Sequence, residues 1–173
     1  MKIDWLIVDV DGVLTDGSII YTSSGEEIKT FNAQDGLGLA LARMAGIKLA
    51  VITGRTSPMV ERRAQELKFT HICMGSLNKS DALAQLVQSE NIDYQSIAYI
   101  GDDLNDLGVM LQVGLPMTPA NGVAEVQAVA KYVATRNGGQ GAVRECIEYI
   151  LKQAGTWDAL VDAYRRESYG KGQ

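Results

Sequence analysis

At 173 residues with a formal net charge of −5, the chain has the length of one domain and enough residues for a substantial core. Hydrophobic residues make up 46% and charged residues 21%, a globular profile rather than a disordered one. The acidic balance and the lack of a basic tract argue against nucleic acid. Cys73 and Cys146 are too few for a disulfide framework, and no apolar run reaches membrane length. Acidic residues interrupt the apolar run near the N-terminus, so no signal peptide is expected and the cytoplasm is the expected compartment.

Ile3–Gly17 reads IDWLIVDVDGVLTDG. Leu6, Ile7 and Val8 form a run suited to a strand buried on both faces. Asp9 and Asp11 follow at its carboxyl end, where open α/β sheets place their ligands. Two residues apart in extended chain, the two carboxylates point the same way and repel each other unless a cation or a shared proton intervenes. The pair reads either as a nucleophile, a proton-transferring partner and a metal site, or as a polar turn capping a strand. Residues 18–31 alternate loosely through Ile19, Ile20, Tyr21, Ile28 and Phe31, which predicts a β-hairpin around a Gly-containing turn. A projecting hairpin does not hide that many apolar groups by itself, so a partner surface is expected to cover them. Asp35-Gly36 is expected to open a helix with Leu37, Leu41, Met44 and Ala45 on one face and Gly46 as its C-cap.

Leu49–Ile52 is a second buried-strand run, ending in Thr53-Gly54-Arg55-Thr56-Ser57-Pro58. Ser57 is placed to cap the next helix, with Pro58 at its first position. The hydroxyl, the glycine and the free N–H groups form either an anion cradle or an ordinary helix start. Arg62, Arg63 and Lys68 follow, as substrate contacts or as a solvated basic face. A strand over Ile72–Met74 leads to Lys79, just before a helix expected from about Asp81 to Ser89. A cation there opposes the helix dipole, so the position reads either as a group that neutralises bound phosphate or as a plain surface lysine. Ile97–Ile100 then runs into Gly101–Asp106, GDDLND, whose clustered carboxylates suit Mg²⁺. Val113–Met117 and Tyr132–Ala134 read as strands around a helix over Val123–Ala130. Gly138–Gly141 reads as a flexible joint, Ala142–Gln153 as a helix, and 154–173 as a tail carrying Trp157 and Leu160. The alternation implies an α/β class, with a doubly wound parallel sheet in a single domain over 1–173. Asp9 and Asp11, Thr53, Lys79 and Asp102 then lie along one sheet edge.

On DVDGVLTDG, VITGR, the isolated Lys79 and YIGDDLND, the chain resembles the haloacid dehalogenase superfamily of phosphohydrolases over essentially its whole length. The resemblance implies a Rossmann-like fold in which Asp9 is the nucleophile, Asp11 the general acid and base, Thr53 a phosphoryl hydrogen-bond donor and Lys79 a charge-neutralising group. It also implies Mg²⁺ held by Asp9, the backbone carbonyl of Asp11 and Asp102, with Asp103 and Asp106 in support. His71, beside a predicted strand and without a glycine-arginine cradle, reads as structural; so do both cysteines, since lysines (Lys79 and Lys152) stand where a cysteine phosphatase needs arginine.

Between Asp11 and Thr53, and between Thr53 and Lys79, there is no room for a cap domain. Either the substrate is large or a neighbouring subunit closes the pocket; with the apolar hairpin, a homotetramer with shared active sites is expected. FNAQDG at Phe31–Gly36, ITGR through Arg63, GSLNK, GDDLND and GGQGAVRE at Gly138–Glu145 resemble the capless, tetrameric branch that contains the 3-deoxy-D-manno-octulosonate 8-phosphate phosphatases. That resemblance implies a phosphorylated sugar-acid substrate met by Gly54, Arg55, Arg63 and Lys79, the two arginines at a subunit boundary, and a tail beyond Gly138 folded over a neighbour's site. Gln34 stands where the branch often has arginine, and Gly75-Ser76 where it often has Gly-Gln. A sister branch acting on nonulosonate 9-phosphates tends to carry an acid at the position of Arg55, so Arg55 favours the octulosonate. Two rivals of another class are a phosphoacceptor receiver module and an idle oligomerisation platform. Asp11 beside Asp9 speaks against the first, and intact Asp9, Asp11, Lys79 and Asp102 against the second.

Overall fold

The computed structural model describes residues 2–169. In chain order the elements are β1 (Trp5–Val8), β2 (Ile20–Tyr21), β3 (Glu27–Ile28), α1 (Ala33–Met44), β4 (Lys48–Ile52), α2 (Pro58–Glu66), β5 (His71–Cys73) and α3 (Lys79–Glu90). Then come β6 (Ile97–Ile100), α4 (Leu107–Met110), β7 (Leu115–Thr118), α5 (Ala124–Val129), β8 (Tyr132–Val133), α6 (Ala142–Gln153) and α7 (Trp157–Tyr169). Six strands pair in parallel in the order β5-β4-β1-β6-β7-β8, while β2 and β3 form a separate antiparallel hairpin. From β1 the chain steps outward through β4 to β5, then returns to the other flank of β1 as β6. The strand order therefore reverses at β1, and open sheets of this kind bind ligands in the crevice beyond the strand ends at that point.

All residues of β1, β6 and β7 are buried, without alternation, because helices cover both faces of the sheet. Leu6 and Val8 pack with Leu39 of α1, Val60 of α2 and Ile147 of α6 on one face. Trp5 and Ile7 pack with Leu83 of α3, Val109 of α4 and Val126 of α5 on the other. Each fully buried side chain of this size contributes roughly 1.5–3 kcal/mol, so the strand ends that carry the polar residues stand on a stiff base. No cap domain interrupts the sheet: only the hairpin and α1 separate β1 from β4, and only α2 separates β4 from β5. Among the described residues no helix is long and apolar enough to cross a membrane.

Several local expectations are corrected. Helix α1 starts at Ala33, ahead of Asp35-Gly36, because the Asn32 side chain accepts from the backbone N–H groups of Gln34 (2.8 Å) and Asp35 (3.3 Å). Its buried face is Asp35, Gly36, Gly38, Leu39, Leu41 and Ala42, whereas Met44 is exposed. Small residues decide that face: a Cβ on Gly38 would sit 3.2 Å from the Arg144 backbone on α6. Ser57 makes no side-chain cap to α2. Asn78 caps α3 instead, accepting from Ser80 and Asp81, and so makes Lys79 the first helical residue.

Gly138–Gly141 is not a flexible joint. The Gly138 N–H donates to Asn121 Oδ1 (2.6 Å) and the Gly139 N–H to the Val13 carbonyl (3.0 Å). A Cβ on Gly138 would lie 1.9 Å from the Gly12 carbonyl oxygen, so glycine serves here for close approach to the loop after β1. The stretch beyond Gly138 runs first through α6, which packs into the chain's own core through Val143, Cys146, Ile147 and Ile150. The expected tail forms α7, whose Trp157 ring lies against Arg144 (5.3 Å) and Lys152 (5.4 Å); residues 170–173 of it fall outside the described residues.

Candidate active site

Asp9 continues β1 by one residue, its N–H donating to the Ile100 carbonyl (3.0 Å). Its Oδ1 accepts from the Val10 N–H (2.7 Å) and its Oδ2 from Lys79 Nζ (2.6 Å). The Lys79 side chain is 1% exposed and donates also to Asp106 Oδ1 (2.7 Å). Asp106 is fully buried and fully engaged: Oδ1 also accepts from the Tyr99 hydroxyl (2.5 Å), and Oδ2 accepts from the N–H groups of Asp102 (2.9 Å) and Asp103 (3.2 Å). Asp106 therefore shapes the GDDLND loop and anchors Lys79.

Asp9, Asp102 and Asp106 bring carboxylate oxygens within 4.8 Å of one another. Three carboxylates face one ammonium, so the cluster carries excess negative charge. Burial pushes Asp9 up to about 6 against the pull of Lys79, and Asp106 adds to the rise. Asp102 is pushed up to about 7, first by burial and then by Asp9 and Asp106. For Lys79, burial acts to lower the ammonium's pKa, but attraction to Asp9 and Asp106 prevails and raises it, so the lysine stays charged. Tyr99 is pushed well up by burial and Asp106, and remains a phenolic donor.

Because Asp106 is spoken for, the oxygens left for a cation are those of Asp9 and Asp102. Asp102 accepts no side-chain hydrogen bond among the described residues. It packs against Gly12, whose φ of +84° and whose missing Cβ, which would fall 2.0 Å from Asp102 Oδ2, make glycine obligatory. Asp11, the expected carbonyl ligand, adjoins that glycine. Hard oxygen donors and uncompensated charge fit a divalent cation such as Mg²⁺.

At the mouth, Asp11 Oδ1 is ion-paired with Lys29, and Asp11 Oδ2 lies 3.8 Å from Arg55 Nε. Arg55 donates to Glu27 Oε1 (2.8 Å) and to the Tyr21 hydroxyl (3.1 Å). Thr53 is 3% exposed, its backbone tied to Cys73 and Ser76 while its hydroxyl makes no hydrogen bond among the described residues. Asp9, Asp11, Thr53, Gly54, Arg55 and Asp102 line one cleft of about 250 Å³, with Lys79 behind Asp9. Another cleft of about 270 Å³ lies beside Gln34, Arg136 and Glu145, but its charged groups are already bonded within the chain: Arg136 donates to Gln34, Glu145 accepts from the Thr135 N–H, and Arg144 pairs with Glu148.

Arg63 is not brought to this cleft. It sits on α2 beside Phe31 and Met59 and pairs with Glu66 (3.3 Å). Sequence reasoning missed Lys29 and Glu27, although their i, i+2 spacing in an extended segment turns them onto one face. It also missed the clamp on Lys79 by Asp106 and Tyr99, which join across separate elements and leave no local signal.

A family profile described as haloacid dehalogenase-like hydrolase matches residues 69–147. The 3-deoxy-D-manno-octulosonate 8-phosphate phosphatase of Escherichia coli (strain K12) is 42% identical over 153 residues, 88% of this chain and 81% of that protein. A crystal structure of the Moraxella catarrhalis 3-deoxy-D-manno-octulosonate 8-phosphate phosphatase, in complex with magnesium ion, phosphate ion and KDO, aligns with a TM-score of 0.91 at 46% identity, covering 94% of this chain and 93% of that one. The cobalt-bound deoxy-D-mannose-octulosonate 8-phosphate phosphatase of Haemophilus influenzae aligns with a TM-score of 0.85 at 38% identity, covering 89% of this chain and 90% of the other.

The raised carboxylates give a pH dependence of defined sign. Folded metal-free protein binds protons at Asp9 and Asp102 more tightly than the unfolded chain does, so their contribution is most favourable below the ordinary carboxylate range and is lost as pH rises through about 6 and about 7. Chelated protein is expected to melt at progressively lower temperature between about pH 5.5 and 8, and added Mg²⁺ to raise Tm more at the upper end. A metal-induced shift equal at both ends, on a flat baseline, would contradict this electrostatic description.

Proposed function

Because this chain belongs to the haloacid dehalogenase-like hydrolases, in the family of the 3-deoxy-D-manno-octulosonate 8-phosphate phosphatases, we propose that it hydrolyses 3-deoxy-D-manno-octulosonate 8-phosphate to the free sugar acid and inorganic phosphate, with Mg²⁺ as cofactor. The observation that carries the reading is Asp9 at the switch point of the sheet, bonded to a buried Lys79 and faced by Asp102, with Asp11 at the cleft mouth.

In this reading an Asp9 oxygen attacks phosphorus; its O–P bond forms as the ester P–O bond breaks, and Asp11 gives its proton to the departing alkoxide. Asp11 then takes a proton from water, whose oxygen attacks the aspartyl phosphate and returns Asp9 with release of phosphate. The Thr53 hydroxyl and the loop at Gly54 hold the phosphoryl oxygens, and Lys79 offsets their charge. Mg²⁺, held by Asp9, the Asp11 carbonyl and Asp102, supplies the remaining neutralisation between an anionic nucleophile and an anionic ester. Arg55 is placed to receive the sugar acid's carboxylate or hydroxyls at the mouth.

The same reading extends to assembly. Ile19, Ile20, Tyr21 and Ile28 are 52%, 46%, 61% and 44% exposed on a hairpin beside an uncapped cleft. A homotetramer packed through these hairpins would cover them and could bring a neighbour's Arg63 to the site. Two unpaired cysteines agree with a reducing, cytoplasmic location.

A panel of phosphorylated sugar acids assayed for kcat/KM tests the substrate: the octulosonate 8-phosphate is expected to lead by about tenfold or more, and a nonulosonate 9-phosphate in front would displace it. Asp9→Asn is expected to lower kcat by about 10³-fold or more while the circular dichroism spectrum stays unchanged; a variant with ordinary turnover would remove Asp9 as nucleophile. Sedimentation velocity is expected to show a tetramer, and a compact, fully active monomer would overturn the shared site.

A further inference from the structure

Lys29 lies just past β3, and its side chain is 1% exposed although it ends in an ammonium. A buried lysine is kept where carboxylates pair with it, and two do: Asp11 through Oδ1, and Glu27 with Oε1 at 3.5 Å. The hairpin register explains how it arrives there. Ile20 pairs with Ile28 and Tyr21 with Glu27, so alternate residues face opposite ways. Ile20 and Ile28 stand on the outer, exposed face. Tyr21 and Glu27 meet Arg55 on the inner one, and Lys29, two residues beyond Glu27, meets Asp11.

The pairing distinguishes the two oxygens of Asp11. Oδ1 is bonded to Lys29, while Oδ2 stands 3.8 Å from Arg55 Nε, beyond hydrogen-bond distance. The terminal torsion of an aspartate is soft and roughly two-fold, so without a fixed partner either oxygen could face the substrate. We infer that Lys29 is a positioning residue for Asp11, holding Oδ1 so that Oδ2 is the oxygen presented to the leaving group, and that the hairpin is thereby part of the acid–base apparatus. This rests on the phosphatase reading above, in which Asp11 protonates the alkoxide. Lys29 need not touch the substrate. It acts through the geometry of another side chain, as supporting residues around catalytic groups do.

A positioning role predicts a leaving-group effect that a loss of general integrity does not. Two esters without other charged groups serve as probes: p-nitrophenyl phosphate, whose phenolate departs unprotonated, and benzyl phosphate, whose alkoxide needs a proton. The readout is the ratio of their kcat/KM values with Mg²⁺ present, which reports the step that forms the aspartyl phosphate. Lys29→Met and Lys29→Gln are each expected to depress benzyl phosphate at least about tenfold more than p-nitrophenyl phosphate, within the ~10²–10⁴-fold that general acid catalysis supplies. Lys29→Arg, which keeps a cation, is expected to restore much of the ratio. Thermal melting identifies which variants are folded, and either neutral variant suffices. An equal fall on both esters in a folded neutral variant would overturn the inference and leave the phosphatase reading standing. Should the wild type turn over only the octulosonate 8-phosphate, whose alkoxide also needs a proton, a folded neutral variant that keeps its full kcat/KM there would overturn the inference; wild-type protein inactive on all three esters would remove the phosphatase reading, and this inference with it.

Discussion

The ammonium of Lys79, closed off from solvent and bonded at once to Asp9 and Asp106, is the contact on which the arrangement depends. It joins the ends of three segments: the strand that carries Asp9, the start of α3, and the loop that follows β6. Removing one partner of such a buried pair typically costs about 3–5 kcal/mol, a large share of the roughly 5–15 kcal/mol by which a domain is stable. One lysine still does not balance three carboxylates, and the raised values at Asp9 and Asp102 register the shortfall. The protein spends stability on a cluster that a divalent cation and a phosphoryl group together can settle.

Around that contact the fold supplies placement. Apolar strands buried on both faces hold their carboxyl ends in a fixed row, and the reversal of strand order at β1 opens the crevice there. Close approach does the rest: Gly12 yields to Asp102, and Gly138 yields to the carbonyl of Gly12, so a segment 126 residues further along buttresses the loop that runs from Asp9 and Asp11 to the hairpin. Asn121 completes the support, donating to the Gly12 carbonyl (3.0 Å) and accepting from the Gly138 N–H (2.6 Å).

Much of this was legible in the amino-acid sequence, and the reasons are physical. An apolar run that stops at Asp, Thr-Gly or Gly-Asp-Asp declares both a buried strand and the polar chemistry at its end, so β1, β4, β6 and the carboxylate row could be read directly. Composition did not distinguish glycine used for freedom from glycine used for proximity, which is why Gly138–Gly141 looked like a joint and is a wedge. Counting apolar residues put Met44 on the inner face of α1, whereas the small side chains of Gly38 and Ala42 set how closely α6 can lie. Among the acids of GDDLND, spacing could not tell which carboxylate faces the cleft and which is consumed by Lys79, Tyr99 and backbone N–H groups. Arg63 was paired with Arg55 through the resemblance, at a subunit boundary; within one chain Arg55 lines the Asp9 cleft, whereas Arg63 lines a neighbouring hollow with Phe31 and Met59.

The central claim is that Asp9 accepts the phosphoryl group, and trapping the intermediate tests it most directly. Enzyme mixed with substrate and Mg²⁺ in a single turnover, quenched in acid within milliseconds and mapped by peptide mass spectrometry, should carry phosphate on the peptide containing Asp9 and at that residue. Phosphate on another side chain, or complete turnover with no phosphorylated peptide at any quench time, would contradict the account.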